Sequence, residues 1–318
     1  MRVERVAWVM GTRLRVVVDA SSRTEAAGAA EAALREIERV DALLSTWDPA
    51  SAMAGINDAE VGRAVPADPE LIDLLCEAEG WARRTDRAFE PAVGALVDAW
   101  DLRGDGRRPS ASELERALGA SGAGAVRADR RRGTVVRVAA GAWIDTGGFG
   151  KGAALRSAGR ILDSLNVPDA LLDLGGQVLV VGDGGGDGWS LDVAHPARRH
   201  EAALRLRVRD VSVATSGASE RWVEVEGERL GHLLDPRSGQ PVPAWGSVTV
   251  VAADALAADA LATALFVLGP DAALAWARDR DEGVLIMENE GGRALPRWNR
   301  AMEPWLEPAS EIPNPNVS

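Results

Sequence analysis

One segment restricts the fold more than any other: Asp254-Ala-Leu-Ala-Ala-Asp-Ala-Leu-Ala-Thr-Ala-Leu-Phe-Val-Leu-Gly-Pro270. Asp254 is placed to N-cap a helix, and Gly269 with Pro270 to end it. Between those signals only Asp259 and Thr263 are polar, and a helix apolar on every side belongs inside a sizeable core. The two polar residues lie four apart and so stack on one face. A carboxylate in that position needs a partner, because burying it bare is costly. Either Asp259 pairs with an arginine or caps a neighbouring backbone while Thr263 bonds back to its own helix, or the pair offers two hard oxygen donors to a divalent cation. An oxygen-only, partly hydrated site of that kind suits Mg²⁺ bridging phosphates.

The chain can enclose such a helix: it has 318 residues, 46% of them hydrophobic and 26% charged, values of an ordinary globular protein. With 36 Lys+Arg against 48 Asp+Glu the net charge is −12, which argues against a general nucleic-acid binder. The single cysteine, Cys76, excludes an intrachain disulfide framework and any cysteine-rich zinc module. His195, His200 and His232 are the only histidines, and the absence of tyrosine beside eleven tryptophans rules out a catalytic tyrosine. The first twenty residues are punctuated by charges and resemble neither a secretory nor a lipoprotein leader, so a cytoplasmic location is expected. The run Val248–Gly269 is interrupted by Asp254 and Asp259 and reads as a buried strand and helix, with no membrane span.

Along the chain, Val3–Met10 and Leu14–Val18 read as strands around Gly11. Ser22 and Glu25 form a capping-box pattern, opening a helix with the apolar stripe Ala30, Leu34, Ile37, Val40 and Leu44. A second helix is expected over Pro69–Arg84. Residues 102–132, rich in Gly, Arg and Ser, read as an internal linker or insertion holding a short helix, Ala111–Leu118. Ala142–Ile144 looks like a strand entering Asp145-Thr-Gly-Gly-Phe-Gly-Lys-Gly152, followed by a helix Ala153–Leu165. Strands Ala170–Leu174 and Val178–Val181 flank Gly175-Gly176, a hairpin turns at Glu226-Gly227, and Ser247–Ala252 feeds the apolar helix. The prolines from Pro304 onward mark residues 301–318 as a flexible tail. Helices and strands mix without strict alternation, which favours an α+β fold over a doubly wound one.

Four stretches could carry chemistry. The first is the Asp259/Thr263 face. The second is the glycine-rich turn Asp145–Gly152, whose backbone can approach a ligand and whose following helix offers amide donors to an anion; it matches neither a P-loop nor G-x-G-x-x-G, and taken alone a structural turn explains it better. The third is His232-Leu-Leu-Asp-Pro-Arg-Ser-Gly239, with a histidine suited to proton transfer or to a structural role at a strand end. Ala214-Thr-Ser-Gly217 with Arg221 adds a polar turn. The fourth is the loop Leu44–Asn57, where Trp47 can stack on a planar ring or pack into the core.

Taken in order, Met10-Gly-Thr12, Leu44-Ser-Thr-Trp47, Ile56-Asn57, Phe89–Trp100, Ile144–Gly152, Asp173-Leu-Gly-Gly176, Ala214–Gly217, His232–Pro241 and Ala258–Thr263 resemble the ApbE family of FAD:protein FMN transferases over roughly residues 5 to 275. The resemblance implies an α+β enzyme of T-fold-related mixed sheets with packed helices, in one lobe or two around a flavin cleft, with residues 1–300 as the catalytic domain. It implies FAD as substrate, Mg²⁺, and transfer of FMN to a Ser/Thr hydroxyl of an acceptor protein with release of AMP. Hydrolysis of FAD to FMN and AMP, or FAD binding without turnover, are the alternatives. On this chain Asp259, Thr263 and a backbone carbonyl near Gly150 would hold the metal, and His232 would move the proton. Asp145 and Lys151 would meet the nucleotide, while Met10, Thr12, Trp47 and Ser216 would line the FAD site. Glu90, Ala92, Gln177 and Trp47 depart from residues common in the family.

Overall fold

The computed structural model describes residues 1–217 and 222–307. The chain divides into two compact units, one of Met1–Asp41, Gly150–Gly217 and Trp245–Ser318, the other of Ala42–Phe149 and Ala218–Ala244. Arg221 and residues 308–318 lie outside the described residues.

The first unit is built on an eight-stranded sheet whose spatial order follows the chain. Its strands are Arg2–Val9, Thr12–Asp19, Asp169–Leu174, Gln177–Val181, Ser212–Gly217, Gly246–Ala252, Gly283–Glu290 and Arg293–Trp298, and each pairs antiparallel with its neighbour. Three of its hairpins close in two residues that both take positive φ: Met10-Gly11 at 53° and 67°, Gly175-Gly176 at 60° and 92°, Gly291-Gly292 at 58° and 84°. Such turns match the right-handed twist of the flanking strands, which is why glycine recurs there. Met10 is the exception, a left-handed non-glycine residue. Its N–H donates to the Asp41 carboxylate at 3.0 Å.

Period-two alternation divides the sheet's apolar residues between its faces. Val17, Leu171 and Val180 stand opposite one another and join a cluster with Trp189, Leu206, Val251, Leu285 and Met287. The bulged hairpin Trp189–His195/Arg198–Val208 supplies much of that cluster. Met302 is buried in it and Trp305 and Leu306 pack against it, so the tail read from residue 301 starts as a docked 3₁₀ turn, Arg300–Trp305. The opposite face carries Gln177 and Leu179 and receives the helices. Gly159 of the Gly150–Ser164 helix has no room for a Cβ over Leu179, which would lie 2.8 Å away.

The Ala255–Leu268 helix has the expected bounds: the Asp254 carboxylate accepts from Ala257 N–H at 2.9 Å, and Gly269 ends it at φ 83°. Pro270 then opens a further helix, Pro270–Ala277. The helix after the glycine-rich turn begins at Gly150, three residues earlier than its sequence suggests, and a side chain from far along the chain satisfies the Gly152 amide in its first turn. Ser22 does accept from Glu25 N–H at 3.2 Å, but the Glu25 carboxylate turns to the Ser21 hydroxyl, leaving half of the expected box.

The second unit holds the helices Ala52–Asn57, Pro69–Arg84, Gly94–Ala99 and Ala111–Gly119, a three-stranded sheet of Ala64–Pro66, Thr134–Arg137 and Val126–Asp129, and the hairpin Trp222–Val225/Glu228–Gly231. That hairpin turns at Glu226-Gly227, as expected. Residues 102–132 contain the Ala111–Gly119 helix, closed by a full capping box of Ser110 and Glu113, and Ala117 and Ala120 pack with Leu96 and Trp100. Ala142–Ile144 is not a strand. The Asn57 carboxamide takes the place of a partner strand, donating to Ile144 O and accepting from Ile144 N–H, both at 2.9 Å. Among the described residues no helix is long and apolar enough to cross a membrane.

Glu90 is buried, bonded to Arg87 Nη1 at 2.7 Å and accepting from Ala92 N–H at 3.0 Å. Burial outweighs these contacts and pushes its carboxyl above the usual range. A group raised in the folded state stabilises most below its unfolded value, about 4.3, and that contribution is lost as pH rises through the raised value. Glu90→Gln should therefore remove a downward slope of unfolding free energy with pH between about 4.3 and the raised value, measured by urea titrations at a series of pH values. A second expectation concerns Gly152, where an added Cβ would lie 2.3 Å from Ala255 O. Gly152→Ala should lower stability by about 2–3 kcal/mol, read as a lower urea midpoint at unchanged slope.

Candidate active site

In the first unit, the N-terminus of the Gly150–Ser164 helix meets the first turns of the Ala255–Leu268 helix. Gly152 lets the backbones touch, and its N–H donates to Asp259 Oδ2 at 2.9 Å. Asp259 is only 5% exposed. One carboxylate oxygen thus does what the structural reading anticipated, capping a neighbouring backbone, and in doing so sets the carboxylate beside Gly150 and Lys151. Thr263 follows one helical turn later and is half-buried. Gln177 Nε2 donates to Ala255 O at 2.8 Å, tying the helix start to the sheet; a carboxylate at 177 could not make this bond unless protonated.

The same end of the sheet carries the other nominated residues of this unit. Thr12 leaves the Met10-Gly11 turn and lies against Gly175, whose added Cβ would come 2.6 Å from Thr12 Oγ1. Ser216 pairs with Val248 near the end of its strand, next to Gly217–Ser247. Met10, Thr12, Gly150, Lys151, Ser216, Asp259 and Thr263 therefore belong to one unit.

Asp259, Thr263 and the Gly150 carbonyl would offer a donor set made only of oxygen, with a single carboxylate. Among the described residues no group of three or more His, Cys, Asp or Glu could hold a metal. That set is too small for a cage and too hard for a soft ion. It fits Mg²⁺, which takes one or two carboxylates and completes its shell with waters and substrate phosphates.

Trp47, Asp145 and His232 belong to the second unit. The turn Asp145–Phe149 is pinned from several sides: Asp145 N–H donates to Pro91 O at 2.9 Å, Asp145 Oδ1 accepts from Gly147 N–H at 2.7 Å, and Thr146 Oγ1 donates to Leu44 O at 3.1 Å. Trp47 is 68% exposed. Between Trp47 and Asp145 lies Arg103, a residue the sequence did not single out because an arginine in a Gly/Arg-rich stretch carries no periodic signal. Its guanidinium is 4.5 Å from the Trp47 ring and 4.3 Å from that of Trp143, and Nη2 is 3.7 Å from Asp145 Oδ2.

His232 stands on a separate segment of this unit, half-buried, just before the Asp235–Gly239 turn. That turn is rigid. The Asp235 carboxylate accepts from Arg237 N–H at 2.9 Å and pairs with the guanidinium through Nε at 2.8 Å and Nη2 at 2.9 Å. Its bond to Asp235 holds the Arg237 guanidinium above its ordinary range. Gly239, at φ 70°, sits against Leu114, and its carbonyl accepts from the buried Trp100 Nε1 at 2.7 Å. The Asp-Pro-Arg-Ser-Gly sequence is thus a scaffold for the residues before it.

Comparison with known proteins identifies the family of the chain. The ApbE family model matches residues 10–287. A protein of Treponema pallidum (strain Nichols) named FAD:protein FMN transferase is 34% identical over 301 residues, covering 86% of this chain and 81% of its own. One of the same name from Klebsiella pneumoniae (strain 342) is 28% identical over 290 residues, covering 89% and 83%. The crystal structure of the ApbE protein from Thermotoga maritima superimposes with a TM-score of 0.88 at 32% identity, covering 96% of this chain and 100% of that one. The chain belongs to the ApbE family.

Proposed function

We propose that the chain is a Mg²⁺-dependent FAD:protein FMN transferase, moving FMN from FAD to a Ser/Thr hydroxyl of an acceptor protein and releasing AMP. The observation that carries this reading is the buried contact of Gly152 N–H with Asp259. It holds the carboxylate against the helix turn that carries Lys151, and helix amides, a lysine and a cation together would meet the charge of a diphosphate. Asp259, Thr263 and the Gly150 carbonyl would hold the cation. When bound, the cation neutralises charge on the two phosphates.

This chain's own groups supply the rest. Lys151 and the first amides of its helix meet phosphate oxygens. Met10, Thr12 and Ser216 line the dinucleotide site, Asp145 contributes polar contact, and Trp47 offers its indole face. A Ser/Thr hydroxyl is a poor nucleophile until its proton is removed, and His232 accepts that proton as the oxygen bonds to the FMN phosphorus and the bond to the AMP phosphate breaks. The net charge of −12 leaves nucleic acid an unsuitable partner.

The test mixes the protein, FAD, Mg²⁺ and a candidate acceptor, then looks for flavin fluorescence on the denatured acceptor and for AMP. Labelling that requires Mg²⁺ is expected, and Asp259→Ala should abolish it. His232→Ala should keep FAD binding and slow transfer by about 100-fold or more; an unchanged rate would remove His232 from the mechanism. AMP release with every acceptor unlabelled would point to FAD hydrolysis, and FAD binding without turnover to a carrier.

A further inference from the structure

We propose that Arg103 is a positioning residue that holds the exposed Trp47 indole as a stacking platform for one planar ring of the dinucleotide; this rests on the FAD-binding reading above. An indole 68% exposed is normally free to rotate away from its neighbours. This one is not. The Arg103 guanidinium, 4.5 Å from its centroid, lies within 4.3 Å of the Trp143 ring as well. The same guanidinium donates from Nη1 to Thr46 O at 3.1 Å and from Nη2 to Thr46 Oγ1 at 2.6 Å, so it grips both the ring of Trp47 and the backbone just before it.

Each support is fixed in turn. Trp143 Nε1 donates to Asp98 at 2.8 Å, and the indole lies so close on Gly94 that an added Cβ there would come within 2.0 Å. Arg103 stands on a loop bonded to itself, with Leu102 N–H to Val97 O at 3.0 Å and Gly106 N–H to Asp101 O at 3.2 Å. A pocket of ≈ 310 Å³ opens here, lined by Trp47, Asn57, Asp58, Asp98, Arg103 and Trp143 among others. That volume is at the lower end for ligand sites and takes a ring rather than a whole dinucleotide. A large flat side chain immobilised before its ligand arrives loses little further freedom on stacking, which favours binding. Lysine cannot replace the arginine, because an ammonium has no flat face to lay against two indoles while it bonds Thr46.

The experiment measures equilibrium binding of FAD, FMN and ADP, without Mg²⁺, to the wild type, Arg103→Ala, Arg103→Lys, Trp47→Ala and the Arg103→Ala/Trp47→Ala double variant, together with KM and kcat for transfer. Arg103→Ala should weaken FAD and one of the two halves about tenfold, raise KM alike and leave kcat within about twofold. Loss confined to FMN places the isoalloxazine on Trp47, and loss confined to ADP places the adenine there; either supports the platform. Arg103→Lys should not restore binding, and the double variant should bind no worse than Trp47→Ala alone. Wild-type affinity in Arg103→Ala, an additive double variant, or a fall in kcat at constant KM would each overturn the proposal. Should Arg103→Ala not fold, the comparison of Arg103→Lys with Trp47→Ala decides by the same criteria. A wild type that binds FAD without transferring FMN defeats the transferase reading and leaves this test intact; one that binds no FAD defeats both.

Discussion

The structure turns on one hydrogen bond, from the Gly152 amide to the Asp259 carboxylate. A helix start left with unpaired amides and an ionised group inside an apolar helix are each unfavourable alone. Brought together at a glycine that lets two backbones touch, each satisfies the other. The same bond holds the carboxylate against the first turn of the Gly150–Ser164 helix. Capping the helix therefore fixes where the Asp259 carboxylate sits.

How much of this could be read in the sequence depended on where each signal's partner lay. The Ala255–Leu268 helix carries its own cap and stop, Asp254 and Gly269, and its bounds were readable to the residue. The Pro69–Arg84 helix was equally local, capped by Asp68 with proline at its start. By contrast, the Gly150 start is capped from more than a hundred residues away, and nothing adjacent announced it. Ala142–Ile144 misled for a similar reason, since its apolar character is that of a strand but its hydrogen bonds come from the side chain of Asn57, 87 residues earlier. The order of motifs pointed to the family where single motifs did not, because each motif alone is short enough to have a purely structural explanation.

The absence of tyrosine shapes the second unit. Where an aromatic hydroxyl could have anchored a ring, indoles are fixed instead by arginine stacking and by Nε1 bonds: Trp143 to Asp98, Trp100 to Gly239 O. This adds positive charge beside the rings in an acidic chain, and the guanidinium is in turn held by a carbonyl or carboxylate, as Arg103 is by Thr46 and Arg108, 6.0 Å from the Trp100 ring, is by Glu226 and Glu228.

The sheet of the first unit is a simple meander in space, yet the chain leaves it for more than a hundred residues between its second and third strands. Thr12–Asp19, whose Leu14, Val16, Val17 and Val18 end up buried, finds its second neighbour only in Asp169–Leu174. On a ribosome adding roughly 5–20 residues per second, that apolar edge waits on the order of 10–30 s for its partner. During that interval the nascent polypeptide presents an open pairing edge, the kind of surface that chaperones occupy and that crowded translation turns into aggregates.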